Sequence, residues 1–385
     1  MPPAPARSIG SPEAPRRLAY FSAQAVEEGQ DTWAAVMEIV DAIRGHGWDV
    51  DLFRPHYEGG HFPGVFERLR HIAGVQSRLA KQIRRYDALY VRVHPLAWPI
   101  ATWARWRGVP VVQESNGSWE DAFIAWPSMR RLSRLIVAMQ RAQYRDADAV
   151  IAVSVTLADW LKREADRDDV VVSPNGANDE LFCPQDERPY GLPAKYAVFF
   201  GQFAPWQRIE VLLEAAVHPD WPGGVDLVLL GDGVLRPQVD AAARDHPHIR
   251  YLGKLQYGSV PGIVANALAA TVLTYAPDRA GYSPLKLYEA MACGVPIVCS
   301  DTPGQAEFVR EEHAGIVVPP DDPGAVARAV AAIAADPAEA QAMGYRGMTA
   351  VNEKYSWQAR ARQRLDVIEA AIEAKRASRN AHAGS

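Results

Sequence analysis

The stretch GYSPLKLYEAMACGVPIVCSDTP, residues 281–303, reads as a loop, a helix and a buried strand. Ser283-Pro284 has the form of an N-cap followed by a first-turn proline. Leu285, Leu287, Tyr288, Met291 and Ala292 follow at helical spacing, and Gly294 ends the helix. The apolar run 295–299 is then a strand. A loop feeding a helix N-terminus gathers backbone N–H groups and the positive end of the helix dipole, which suits a phosphate. Glu289, in the second turn, is placed to accept hydrogen bonds from vicinal hydroxyls. Phosphate and diol together describe a nucleotide, while an ordinary capped helix with a solvated glutamate fits this stretch alone equally well.

Outward from this stretch the chain alternates strand and helix. Before it, 18–22 (LAYFS), 49–53, 88–92, 109–112 and 147–154 read as strands separated by helical segments, a βαβ pattern. The near-continuous apolar character of 147–154 is that of a parallel strand covered on both faces. The turn Ser173-Pro174-Asn175-Gly176 and the Pro-rich segment 184–193 look like a linker, after which strands at 196–200, 225–230, 249–252 and 270–275 lead back to the opening stretch. Two α/β units of similar size predict an α/β fold of two Rossmann-like domains facing across a cleft. The expected division is a disordered leader over 1–16, a first domain over 17–184, a second over 194–355 and C-terminal helices over 356–385 that cross back to the first domain.

The 385 residues, 48% hydrophobic and 23% charged with a formal net charge of −5, describe a globular protein without the basic domain of a nucleic-acid binder. Three cysteines without C-x-x-C spacing indicate neither a disulfide framework nor a zinc site, and the histidines show no ligand spacing. No apolar run reaches the ~18 residues of a membrane span, so a cytoplasmic protein is expected. Two arginine-rich helical stretches, 66–86 and 129–145, read as solvated faces or as surfaces for an anionic membrane. The dinucleotide signature G-x-G-x-x-G is missing after both first strands, Gly231-Asp232-Gly233 lacks the third glycine, and neither a P-loop nor a G-x-S-x-G elbow is present. Nucleotide binding by the second unit, with another substrate on the first, is what remains.

Six further segments repeat this logic in order: SPNGANDELFCP (173–184), VFFGQFAPWQRIEVLLEA (198–215), LVLLGDGVLRPQV (227–239), IRYLGKLQYGSVPGIV (249–264), GIVVPPDDPGAVARAV (315–330) and YSW (355–357). With SPLKLYEAMACGVPIVCSD they resemble the family 4 glycosyltransferases, retaining enzymes of the GT-B fold. The resemblance implies that Glu289, as second glutamate of a Glu-x7-Glu motif, binds the donor ribose. It implies that the donor loop of Gly281, Tyr282, Ser283, Pro284, Leu285 and Lys286 meets the sugar and diphosphate, Pro284 only shaping the turn. Gly201 and its loop would face the same phosphates, and Gly231 and the turn from Gly253 to Leu255 the base. On the acceptor side it implies Gly29, Gln30 and His94, with Glu114 and Asn116 bordering the transferred sugar.

Departures from the family pattern accompany these matches. The first motif glutamate falls at Gly281, and the family's arginine and lysine fall at the neutral Gln202 and Gln207. Arg208 and Lys286 are the candidates to replace those cations, so Asn116, Glu114, Lys286 and Arg208 form the expected catalytic set. No metal and no cofactor are implied; a UDP- or GDP-sugar would be the donor and a glycan, a lipid-linked molecule or a small molecule the acceptor. Trp98, Trp103, Trp106, Trp119 and Trp126 are candidates to stack on that acceptor, and the basic helices place a peripheral contact at the inner face of the membrane. The rival expectations are a catalytically degenerate partner subunit and a nucleotide-sugar epimerase of the same architecture.

Overall fold

The computed structural model describes residues 15–24, 31–57, 64–120, 123, 127–185, 187–189, 191–274 and 283–383. The first half forms a six-stranded parallel sheet, β1 (Arg17–Ser22), β2 (Asp49–Phe53), β3 (Ala88–Arg92), β4 (Val111–Ser115), β5 (Ala149–Ala152) and β6 (Val170–Val172), in the order β2-β1-β3-β4-β5-β6. The helices around it are α1 (Asp31–Gly45), α2 (Val65–Gln82), α3 (Trp98–Trp106), α4 (Ser133–Asp146) and α5 (Val155–Ala165). A second six-stranded parallel sheet holds β7 (Tyr196–Gln202), β8 (Asp226–Asp232), β9 (Ile249–Tyr251), β10 (Ala269–Val272), β11 (Ile297–Ser300) and β12 (Gly315–Val318), in the order β12-β11-β10-β7-β8-β9. Its helices are α6 (Ile209–Ala216), α7 (Arg236–Asp245), α8 (Val260–Val264), α9 (Leu285–Ala292), α10 (Ala306–Glu311), α11 (Pro323–Ala335) and α12 (Pro337–Ala350).

Strand order reverses between β1 and β3 in one sheet and between β7 and β10 in the other. Open parallel sheets bind ligands outside the carboxyl ends of the strands at such points. The central strands are buried on both faces: Tyr196, Ala197, Val198 and Phe199 of β7 alternate between two separate apolar clusters on opposite sides of the second sheet. That two-sided burial is why these strands read as unbroken apolar runs rather than alternating ones.

The final helix, α13 (Trp357–Ala383), leaves the second unit and packs on the first. Trp357, Ala361, Leu365, Ile368, Ala371 and Ile372 share one buried cluster with Leu18, Tyr20 and Val36. Fully burying a large apolar side chain is worth about 1.5–3 kcal/mol, so this seam binds the C-terminus firmly to the first sheet. Where the chain crosses over, Ala177 and Ser356 pair as a parallel bridge, with Ala177 N–H donating to Tyr355 O and Trp357 N–H donating to Ala177 O, both at 2.9 Å. The two crossings between the units are thus hydrogen-bonded to each other.

Candidate active site

Helix α9 starts just beyond β10, beside the second sheet's switch point. Lys286 through Ala292 are all buried, so the helix is covered on every side rather than on one stripe. Its end is a Schellman motif: Gly294 N–H (φ +72°) donates to Met291 O at 2.9 Å and Val295 N–H to Ala290 O at 3.2 Å. Its start corrects the sequence expectation. Pro284, not Ser283, occupies the N-cap and no side chain caps the helix. Ser283 is engaged across the chain instead, its Oγ accepting from Asn175 N–H at 3.0 Å while Asn175 Nδ2 donates to Ser283 O at 2.8 Å. The interdomain turn therefore holds the loop that enters α9, and Leu285 packs against the first unit's core.

Lys286 and Glu289 stand three residues apart and so share one face of α9. Lys286 is 7% exposed, and its ammonium donates to Gln207 Oε1 at 2.8 Å and lies 3.9 Å from the centre of the Phe199 ring. Glu289, 6% exposed, accepts from Tyr257 Oη at 2.8 Å. Around them the carboxyl ends of β7 and β8 and the turn after β9 come edge to edge. Gly201 is in register with Gly231, and Gly231 N–H donates to Gly253 O at 2.9 Å. A Cβ on Gly231 would lie 1.8 Å from Gly201 O, so only glycine permits this approach. Leu255 is half-buried against the second sheet's core, and Gln202 is exposed.

Arg208 sits in the left-handed region (φ +47°) at the start of α6, and its guanidinium donates to Asp321 Oδ1 at 2.6 Å and Glu210 Oε1 at 2.9 Å. Two carboxylates thus already engage its guanidinium.

At the carboxyl edge of the first sheet stand His94, after β3, and Asn116, after β4. His94 Nδ1 accepts from Leu96 N–H at 3.2 Å as the cap of a short turn, which leaves the proton on Nε2. Burial pushes the imidazole down to about 4. Glu114, 1% exposed, accepts from Tyr90 Oη at 2.5 Å, Arg92 Nη1 at 3.0 Å and Asn116 Nδ2 at 2.6 Å. Burial works to raise its pKa, but Arg364, Arg92 and the bonds from Tyr90 and Asn116 outweigh it and hold the carboxyl below its ordinary value. Glu114 is therefore a fixed carboxylate, and Asn116 is the group it orients.

Two family models match the chain, "Glycosyltransferase Family 4" over residues 34–181 and "Glycosyl transferases group 1" over residues 194–336. The chain belongs to the family 4 glycosyltransferases. It is 26% identical over 362 residues to the phosphatidyl-myo-inositol mannosyltransferase of Mycobacterium leprae, covering 87% of this chain and 91% of that one. The D-inositol 3-phosphate glycosyltransferase of Streptomyces bingchenggensis is 28% identical over 259 residues, which span 61% of this chain and only 56% of that protein. Among solved structures, sucrose-phosphate synthase from Thermosynechococcus elongatus superposes with a TM-score of 0.75 at 22% identity over 93% of this chain and all of that one. Anabaena HepE in complex with UDP gives 0.70 at 16% identity over 92% and 100%. These likenesses carry the fold, which is GT-B.

In this glycosyltransferase fold the structure brings Gly201, Gln207, Gly231, Gly253, Lys286 and Glu289 together at the second switch point, and His94, Glu114 and Asn116 along the first sheet's edge. Gly29, Gln30, Gly281, Tyr282 and Trp126 lie outside the described residues. Trp119 packs at 4.2 Å against Trp160 and is 4% exposed, so it belongs to a core rather than to an acceptor platform. Sequence reasoning missed Tyr257, which holds Glu289, and Arg364 of α13, whose Nη1 lies 3.5 Å from Glu114 Oε2. The only signal for Arg364 was a charge interrupting the apolar face Trp357, Ala361, Leu365, Ile368.

Proposed function

We propose that this enzyme transfers a glycosyl group from a nucleotide sugar, a UDP- or GDP-sugar, to an acceptor hydroxyl, with retention of configuration and without a metal ion. The observation that carries the reading is the shared face of Lys286 and Glu289 at the N-terminal half of α9. A carboxylate suited to the ribose diol is oriented by Tyr257 and an ammonium suited to the diphosphate by Gln207, on one face of one helix turn, the spacing a single nucleotide would span. The base lies along the Gly231 and Gly253 turns, and the anomeric carbon faces Asn116 and His94. The bond from C1 to the diphosphate oxygen breaks as the acceptor oxygen bonds to C1 on the same face, and the acceptor proton passes to the departing diphosphate oxygen. Lys286 and the start of α9 offset the charge that develops there. Closure of the cleft keeps water from competing as acceptor.

Calorimetry with UDP, GDP and their sugars, followed by mass spectrometry of products with candidate acceptors, tests this. One nucleotide is expected to bind in the presence of EDTA, and Glu289→Ala to abolish that binding. Failure of every nucleotide to bind would leave the partner-subunit reading.

The acceptor is expected to be lipid-linked and met at an anionic membrane surface. No helix among the described residues is long and apolar enough to cross a membrane, but the first unit exposes apolar side chains where they cost solvation. Helices that follow parallel strands begin at the strands' carboxyl edge, so the starts of α2 and α4 lie at the edge that carries His94 and Asn116. Phe66 at the start of α2 is 89% exposed, and Leu132 and Leu135 at the start of α4 are 60% and 57% exposed. Arg70, Arg130, Arg131 and Arg134 stand exposed among them. Exposed apolar groups interleaved with cations match an anionic bilayer. Co-sedimentation with phosphatidylglycerol vesicles should be lost in Phe66→Glu with Leu135→Glu and weakened by salt; absence of binding by the wild type would reject the membrane contact.

A further inference from the structure

The C-terminal helix buries an arginine where an apolar residue would pack. Arg364 is 1% exposed and lies within the seam formed by Trp357, Leu365 and Ile368 against the first sheet. Its Nη1 faces Glu114 Oε2 at 3.5 Å, while Nε and Nη2 are buried without a hydrogen-bond partner among the described residues. Each such group forfeits its hydration, and replacing a buried ion pair by hydrophobic side chains is often neutral or stabilising. Arg92 already supplies one guanidinium to the same carboxylate at 3.0 Å. Stability therefore does not account for a second one reaching in from another part of the chain.

We propose that Arg364 is a positioning residue, gripping one oxygen of Glu114 so that the other holds the Asn116 amide in the geometry the transfer needs. The inference rests on the transferase reading above. The two oxygens divide the work. Oε2 faces Arg364 and accepts from Tyr90, and Oε1 accepts from Arg92 and Asn116. With Arg364 gone, Oε2 keeps only the Tyr90 hydroxyl, the pull of Arg92 on Oε1 is no longer balanced by a cation on the other side, and the acceptor that fixes the amide shifts. Arg364 enters the chain seven residues after Trp357, whose N–H closes the bridge between the two crossings. The seating of the C-terminal helix and the order of the Asn116 loop are thereby coupled through one side chain.

The test is Arg364→Leu and Arg364→Lys in the full-length protein, read three ways. Arg364→Leu is expected to keep or raise the thermal midpoint, to lower kcat at least 10-fold and to leave the donor KM within about twofold, while Arg364→Lys regains most of kcat. Arg364→Leu combined with Asn116→Ala should be no slower than Asn116→Ala alone, because both act on one amide. Backbone hydrogen exchange should quicken at residues 115–118 in Arg364→Leu while α2 and α5 stay protected. Unchanged kcat, a loss that merely follows a lower folded fraction, or additive effects in the double variant would overturn the proposal. If the wild type transfers no sugar, the transferase reading fails, and the exchange measurement still decides whether Arg364 orders the loop.

Discussion

Lys286 Nζ donates to Gln207 Oε1 at 2.8 Å, and this bond joins the first turn of α9 to the loop that follows β7. The family pattern places a cation at position 207, and here a neutral amide stands there and accepts from a lysine of the neighbouring helix. Lys286, in the first turn of α9, is the candidate cation for that place. Its distance from the Phe199 ring, 3.9 Å, adds a second neutral restraint. Lys286→Met is expected to lower kcat by about 10²–10³ with a smaller effect on binding of the nucleoside portion, as loss of an oriented cation does when charge builds on a leaving group. Steady-state kinetics beside calorimetry with the nucleoside monophosphate checks it, and a loss confined to KM would contradict it.

Glu289 and Tyr257 allow the ribose contact to be separated from the fold. Glu289→Gln retains an acceptor for the Tyr257 hydroxyl but removes the charge. Affinity for the nucleotide should fall by about 10- to 100-fold, the worth of a hydrogen bond to a charged group. Tyr257→Phe should weaken binding less, because the carboxylate persists and only its aim is loosened. A 2′,3′-dideoxynucleotide should bind wild type and Glu289→Gln alike; a remaining difference would place Glu289 elsewhere than on the diol.

The parts legible in the sequence were those set by neighbours along the chain. The strand and helix alternation, the stop at Gly294 and the motif around Glu289 depend on local spacing, and the structure forms each of them. The two Rossmann-like units followed because two such alternations are joined by one linker, and GT-B was what the family resemblance implied. What was not legible depends on pairs far apart in sequence. Ser283 looked like an N-cap because the letters allow it, yet Asn175, 108 residues away, uses its hydroxyl. Arg208 looked available for a diphosphate until the fold brought Asp321 to it. Arg364 drew no reading from the sequence, since nothing in the local pattern tells that the opposite wall holds Glu114.

The His94 imidazole gives a pH signature. Burial holds it neutral down to about pH 4, while in the unfolded chain it titrates near 6.5. Its contribution to stability is intact above pH 6.5 and is lost as the pH falls toward 4, because the unfolded state takes up a proton that the folded state refuses. His94→Asn keeps an acceptor for Leu96 N–H and removes the titration. The loss of stability between pH 7 and 4.5 should shrink by on the order of 2 kcal/mol in that variant. Denaturant titrations at the two pH values measure it, and equal losses in the two proteins would show that His94 is solvated.

Gly231 and Gly253 separate backbone conformation from close approach. Both have positive φ, +138° and +77°, and they are joined by the hydrogen bond from Gly231 N–H to Gly253 O. A Cβ at position 253 meets nothing within 4 Å, whereas one at 231 would meet the Gly201 carbonyl oxygen at 1.8 Å. Gly253→Ala should therefore cost only the left-handed penalty of about 1–2 kcal/mol. Gly231→Ala must also push the end of β7 away from β8, and because Gly201 adjoins Lys286 it should lower both stability and nucleotide affinity. Denaturation midpoints and calorimetry on the two variants test this: equal destabilisation, or full nucleotide affinity in Gly231→Ala, would mean that the end of β7 adapts and that its contact with β8 does not shape the nucleotide site.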